Sequence, residues 1–282
     1  MISEVEVRAE LHDVKAGAAG PSLHAVSKPS EEVRLLLARD YLGFTETAPV
    51  GHRWIEPPRP VVTLILNISE AFGGFPDAFV VGIADQYAVV ESQGGTSCID
   101  LKLTPWGAFT ILGVPMKEIA GRVIDFREVL GPGAQAWLDA LREASTWDAC
   151  FAVLDALLVR RVTLGPRPAD RVLWAWHRLV GSGGQLRISH LADEVGWSGK
   201  HLIEMFKEQI GLAPKTAARV IRFHGLLRRL DEDPLLRLVD AAADFGYSDQ
   251  SHLIRDFRRF IGETPGEYVR RIKAERAASK RR

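Results

Sequence analysis

The chain has 282 residues and a formal charge of zero, with 36 Lys and Arg against 36 Asp and Glu. That length has room for two domains. Two cysteines, Cys98 and Cys150, are too few and too far apart for a disulfide framework or a zinc site.

The zero conceals a division. Residues 167–282 hold 22 Lys and Arg against 15 Asp and Glu, a charge of +7, and residues 1–166 hold 14 against 21, a charge of −7. Such asymmetry suggests a basic module that meets a polyanion and an acidic module that does not. The N-terminus, MISEVEVRAE, is charged and unlike a secretory signal. The longest apolar run, Val61–Leu66, is far short of a membrane span. Cytoplasmic residence, with no membrane partner, is the expectation.

Residues 1–30 mix Gly, Ala, Ser and Pro without periodicity and read as a flexible leader. From Tyr41 the chain is dense in aromatic and β-branched residues, punctuated by Gly, Pro, Asn and Asp. This predicts strands at Tyr41–Thr47, Val61–Asn67, Phe79–Ala84, Tyr87–Ser92 and Cys98–Leu103. The glycine pairs Gly73–Gly74 and Gly94–Gly95 fit hairpin turns. After Thr104-Pro105-Trp106-Gly107 the period becomes helical, with helices expected at Met116–Ile119, Ala134–Ala144 and Trp147–Arg161. Residues 31–164 thus read as a β-rich domain backed by helices. It is expected to dimerise, to bind a small-molecule effector, or both.

Trp54, Tyr87, Trp106 and Phe109 either line an apolar pocket or fill the β core. Chemistry is not expected here. His12, His24 and His52 lack metal-ligand spacing, and neither a nucleophile elbow nor a phosphate-binding glycine loop is present. No catalytic residue, metal or cofactor is therefore assigned. A linker at 165–168 (GPRP) leads to Asp170, a candidate helix N-cap.

The basic half contains one pattern written twice. LADEVGWSGKHLIEMFKEQIGLAPK at 191–215 matches AAADFGYSDQSHLIRDFRRFIGETPG at 241–266. Gly196 and Ser198 map onto Gly246 and Ser248 at an offset of 50; one extra residue then moves His201, Leu202, Phe206, Gly211 and Pro214 to an offset of 51. A short helix, a glycine turn and a second helix, made twice, is the layout of paired helix-turn-helix units. Ala192 and Ala242 allow close helix crossing, and Gly196 and Gly246 sit where positive φ is needed. Ser198 and Ser248 suit the N-cap of the second helix. Leu202, Phe206 and Ile210, like Leu253, Phe257 and Ile261, define a buried stripe. Gly211 and Gly262 fit the C′ position, with Pro214 and Pro265 stopping the helix.

The opposite faces carry the functional expectation. Ser198, Lys200, His201, Ile203, Glu204 and Lys207 belong to the first, and Gln250, Ser251, His252, Arg255, Arg258 and Arg259 to the second. A helix in the major groove needs donors and acceptors near its N-terminus for base edges, and cations at its flanks for phosphates. The second copy meets both needs. Glu204 in the first would face a polyanion unless it accepts from a cytosine amino group.

With these residues, and KTAARVIRFHGLLRRL between the copies, the chain resembles the AraC/XylS family of transcription regulators over about residues 167–275. The resemblance implies a seven-helix domain (169–275, then a basic tail 276–282) with two helix-turn-helix units joined by one long helix. It implies reading helices in successive major grooves about 34 Å apart. It also implies base-facing roles for Lys200, Ile203, Glu204, Gln250, Ser251, His252 and Arg255. Glu204 departs from the usual basic or polar residue, and Leu253 replaces a common aromatic.

The front half resembles the N-terminal domains of some AraC-type proteins through EPPRPVVTLILNIS and LTPWGAFTILGVPMKEIAGRVIDF, which suggests regulation without naming an effector. The expected fold class is α+β: a β-rich N-terminal domain with packed helices, then an all-α domain. The expected partners are double-stranded DNA and a small-molecule effector, with RNA polymerase and a second copy of the chain as further candidates. The rival reading is a DNA-bending or nucleoid-associated protein without a defined operator.

Overall fold

Alternation of apolar and polar residues along Ser97–Leu103 places a strand with one buried face at the centre of the front half. The computed structural model describes residues 23–45, 53–69, 76–91, 95–233 and 236–279. Its strands are β1 (Leu23–Ser27), β2 (Tyr41–Thr45), β3 (Arg53–Glu56), β4 (Val62–Asn67), β5 (Ala78–Val81), β6 (Ala88–Glu91), β7 (Ser97–Leu103) and β8 (Val123–Asp125). Six of them form an antiparallel sheet in the order β1-β2-β7-β4-β5-β8, and β3 pairs with β6 as a separate two-stranded ribbon. Register follows the apolar face: Gly43 opposes Ile99, and Leu64 opposes both Val80 and Leu101. A one-residue slip would turn that face outward.

Helices cover the apolar face. After α1 (Glu31–Arg34) come α2 (Pro105–Leu112), α3 (Met116–Ile119), α4 (Phe126–Leu130), α5 (Gly133–Glu143) and α6 (Trp147–Leu164). Leu138 and Leu141 of α5, with Phe151, Leu154 and Leu158 of α6, join Tyr41, Leu64, Ile99 and Leu101 in one buried cluster. Tyr41 stacks on Phe151 at 5.8 Å, and its hydroxyl donates to Asp155 at 2.6 Å.

Several boundaries differ from the sequence expectation. Leu23–Ser27, placed in the irregular leader, is an edge strand paired with β2. α2 carries no amphipathic stripe in the sequence, because it is buried almost all round. The strand expected at Phe79–Ala84 stops at Val81, because Gly82 lies against the backbone of Ile119. Gly95 has φ +49, as a turn needs, whereas Gly73, Gly74 and Gly94 lie outside the described residues.

The back half is helical throughout: α7 (Asp170–Gly181), α8 (Ile188–Val195), α9 (Gly199–Gln209), α10 (Pro214–Glu232), α11 (Leu238–Asp244), α12 (Gln250–Phe260) and α13 (Pro265–Ser279). Asp170 is not the N-cap of α7 but its first residue; Ala169 precedes it, and the Ala169 N–H donates to Gln209 Oε1 at 2.8 Å. Pro214 and Pro265 act as starts as well as stops. Each is the first residue of the next helix, where the missing N–H costs nothing. Thr264 and Glu267 close α13 with a reciprocal capping box.

Candidate nucleic-acid interface

Two pairs, α8–α9 and α11–α12, repeat one construction. Gly196 and Gly246 both have φ +66, the left-handed conformation that turns each first helix into its second. Ala192 and Ala242 are buried at the crossing. An aromatic follows each glycine and meets a histidine one turn into the second helix. The Trp197 and His201 rings lie 4.7 Å apart, and those of Tyr247 and His252 lie 5.1 Å apart. Both histidines therefore pack edge-to-face with the aromatic of the turn.

The N-caps differ. Ser198 accepts from the His201 N–H at 3.2 Å, as expected. In the second unit the cap is Asp249, not Ser248: Asp249 accepts from the His252 N–H at 2.7 Å, and Ser248 donates to the Asp249 carboxylate at 3.0 Å. The extra residue of the second copy falls before the cap, so the residue aligned with Ser198 at the later offset of 51 is Asp249. These hydrogen bonds, first that from the His252 backbone and then that from Ser248, hold the Asp249 carboxyl below the usual aspartate range.

Leu202 and Phe206, and in the second unit Leu253 and Phe257, are fully buried against α10 and its neighbours. Phe223 of α10 meets Phe257 at 5.0 Å and Phe260 at 4.7 Å, and Arg219 of α10 pairs with the buried Asp256 at 2.6 Å. One long helix thereby anchors the second unit's core to the first.

The opposite faces reach solvent. Ser198, Lys200, His201, Ile203, Glu204 and Lys207 are exposed, as are Gln250, Ser251, Arg255, Arg258 and Arg259, while His252 is half-buried. Lys207, Arg255 and Arg258 form no salt bridge among the described residues, whereas Lys200 stands 4.0 Å from Glu204 on the same face. That pairing partly neutralises the acid on the first unit. Arg259, expected among the DNA-facing residues, is paired within the protein. Its guanidinium donates to the Asp85 carboxylate and, at 3.0 Å, to the Asp85 carbonyl, so a front-half residue occupies it.

The four aromatics proposed for a pocket come from two places in the fold, the β3–β6 ribbon and α2. Trp54 lies on the β3–β6 ribbon. Trp106 packs against Trp176 and His177 of α7, with centroids at 6.2 and 5.4 Å. Tyr87 lies beside Gly262, and Phe109 packs onto the main core. The contacts of Trp106 and Tyr87 with the back half carried no sequence signal, since both partners lie far along the chain.

Residues 191–271 match a family model described as a helix-turn-helix domain. The back half carries an AraC-type helix-turn-helix domain. Over 89 residues the chain is 32% identical to the HTH-type transcriptional regulator YbfI of Bacillus subtilis, covering 31% of this chain and 32% of that protein. Over 87 residues it is 31% identical to the HTH-type transcriptional regulator Rv1931c of Mycobacterium tuberculosis, covering 31% and 33%. The chain thus spans about a third of the length of these curated relatives. Solved structures of ToxT from Vibrio cholerae align with 90% of this chain and 100% of theirs at 11% identity and a TM-score of 0.41, or with 88% and 96% at 10% identity and a TM-score of 0.39. No helix among the described residues is long and apolar enough to cross a membrane.

Proposed function

We propose that this protein is a sequence-specific, DNA-binding transcription regulator whose front half governs its back half. The supporting observation is the pair of equivalent helices, α9 and α12, each capped at its N-terminus and buried along one stripe. Each leaves polar and cationic residues on the opposite face. Lys200, Ile203 and Glu204, with Gln250, Ser251 and Arg255, would face base edges; Lys207 and Arg258 would neutralise phosphates. His252, half-buried beside Tyr247, would present only its exposed part.

The front half would bind a small-molecule effector, dimerise, or both, and RNA polymerase would be met by the DNA-bound form. An effector can act only by preferring one arrangement of the two halves, since equal affinity for both shifts nothing. Selection of bound sites from a random oligonucleotide pool, with and without small molecules from a cell extract, tests the proposal. The expected result is an enriched motif with two elements about one helical turn apart. Binding without enrichment would instead mark a DNA-bending protein lacking an operator.

A further inference from the structure

The two helix-turn-helix units present the same corner to the front half. Glu208 ends the exposed edge of α9 and Arg259 that of α12, and the two positions are equivalent at the offset of 51. Glu208 pairs with Lys117 of α3 at 2.7 Å, and Arg259 pairs with Asp85 of the β5–β6 loop. The glycines that follow are also equivalent. A Cβ at Gly211 would stand 2.7 Å from Ile83 Cγ2 and 3.2 Å from the Met116 carbonyl oxygen. One at Gly262 would stand 3.0 Å from the Tyr87 ring. Both glycines have positive φ, +99 and +79, which fixes each helix end as it meets the front half.

The front-half partners belong to one piece of backbone. The Gly82 N–H donates to the Arg122 carbonyl at 3.0 Å, and the Gly121 N–H donates to the Ile83 carbonyl at 2.9 Å. The β5–β6 loop and the α3 region are thus laced together, so neither contact point moves without the other. The charges also specify order. Exchanging the two units on this surface would set Lys117 against Arg259 and Asp85 against Glu208, like against like in both places.

We infer that Asp85–Tyr87 and Lys117 form a two-point saddle on which the equivalent corners of both helix-turn-helix units rest, setting the angle between α9 and α12. Arg259 is then a positioning residue and not a phosphate contact. Its counterpart in the first unit is an acid, which no phosphate contact would use. Tyr87 immediately precedes β6, which pairs with β3, so a displacement of that ribbon is transmitted to the saddle. The inference rests on α9 and α12 being the reading helices.

The test uses the full chain carrying Ser189→Cys on α8 and Ala243→Cys on α11, both exposed and outside the proposed reading faces. The native thiols are buried, and burial pushes that of Cys150 up to about 11, so spin labels attach at the introduced sites. Distances between labels are measured without DNA by double electron–electron resonance. A narrow distribution is expected in the otherwise native chain, a broadened and shifted one in Asp85→Arg, and recovery when Arg259→Asp is added. Lys117→Glu, with and without Glu208→Lys, repeats the comparison at the other corner and covers a first variant that fails to fold. An unchanged distribution in both reversals, or no recovery in either exchange, overturns the saddle. DNA binding by the otherwise native chain is measured separately: its absence would sink the reading-helix assignment and leave the distance result standing.

Discussion

At the scale of single residues, the two units diverge most at their caps. Ser198 holds the first turn of α9 with a neutral hydroxyl, whereas Asp249 holds that of α12 with a carboxylate. Removing the hydroxyl in Ser198→Ala should cost about 1 kcal/mol at any pH near neutrality. Asp249 adds a pH dependence. Its folded pKa is depressed, so its contribution is fully present above the ordinary aspartate value. It is lost as pH falls from there through the lower folded value. Following the His252 and His201 backbone amides by nuclear magnetic resonance during acid titration checks this. The His252 amide should report a midpoint below the ordinary aspartate range, and the His201 amide should report none from its cap. Asp249→Asn should keep the cap and abolish the titration. A midpoint at the ordinary value would mean that the carboxylate does not cap α12.

At the scale of elements, α9 and α12 share a fold and differ in what they offer DNA. Arg255 lies on an exposed face and forms no salt bridge among the described residues, whereas Glu204 stands near Lys200. Arg255→Ala should therefore cost about 1–3 kcal/mol and relax preference at one base pair, if the guanidinium reads a guanine. Glu204→Gln should change the preferred base under α9 with little change in total affinity. Binding measured across single-base variants of a selected site distinguishes these outcomes. A uniform loss for Arg255→Ala would reassign it to phosphate, and an unmoved preference for Glu204→Gln would leave α9 without base readout through that residue. These elements were legible in the sequence because glycine, serine, phenylalanine and proline recur at fixed offsets that only this turn geometry requires. The shift of the cap to Asp249 was written there too, in the inserted residue, but it needed the backbone to locate it. The occupation of Arg259 by Asp85 was not legible: the partners are 174 residues apart, and nothing local marks either. α2 was obscured for a different reason, since a helix apolar on every side has no period to read.

At the scale of the whole molecule, the sequence suggests two domains joined by a short linker, but the apolar core does not stop at 165–168. Trp106 of α2 is buried against Trp176 and His177 of α7, and Trp176 is itself fully buried. The linker is tied down at Thr110, whose hydroxyl donates to the Pro166 carbonyl at 3.0 Å, and Gly165 lies against the Thr110 backbone. One contiguous cluster runs from Tyr41 in β2 to Tyr268 in α13. Two halves that share buried aromatic surface lose it together when either unfolds, so the free energy of one depends on the presence of the other. The expected consequence is a single cooperative transition in calorimetry, with calorimetric and van't Hoff enthalpies close to equal. Trp106→Ala, which removes apolar area from the shared surface and opens a cavity, should lower stability by about 3–5 kcal/mol. It should also split the transition as the coupling weakens. Two separate transitions in the native chain would show that the halves fold independently despite the shared core. The front half could then signal to the helix-turn-helix domain only through surface contacts such as those at Asp85 and Lys117.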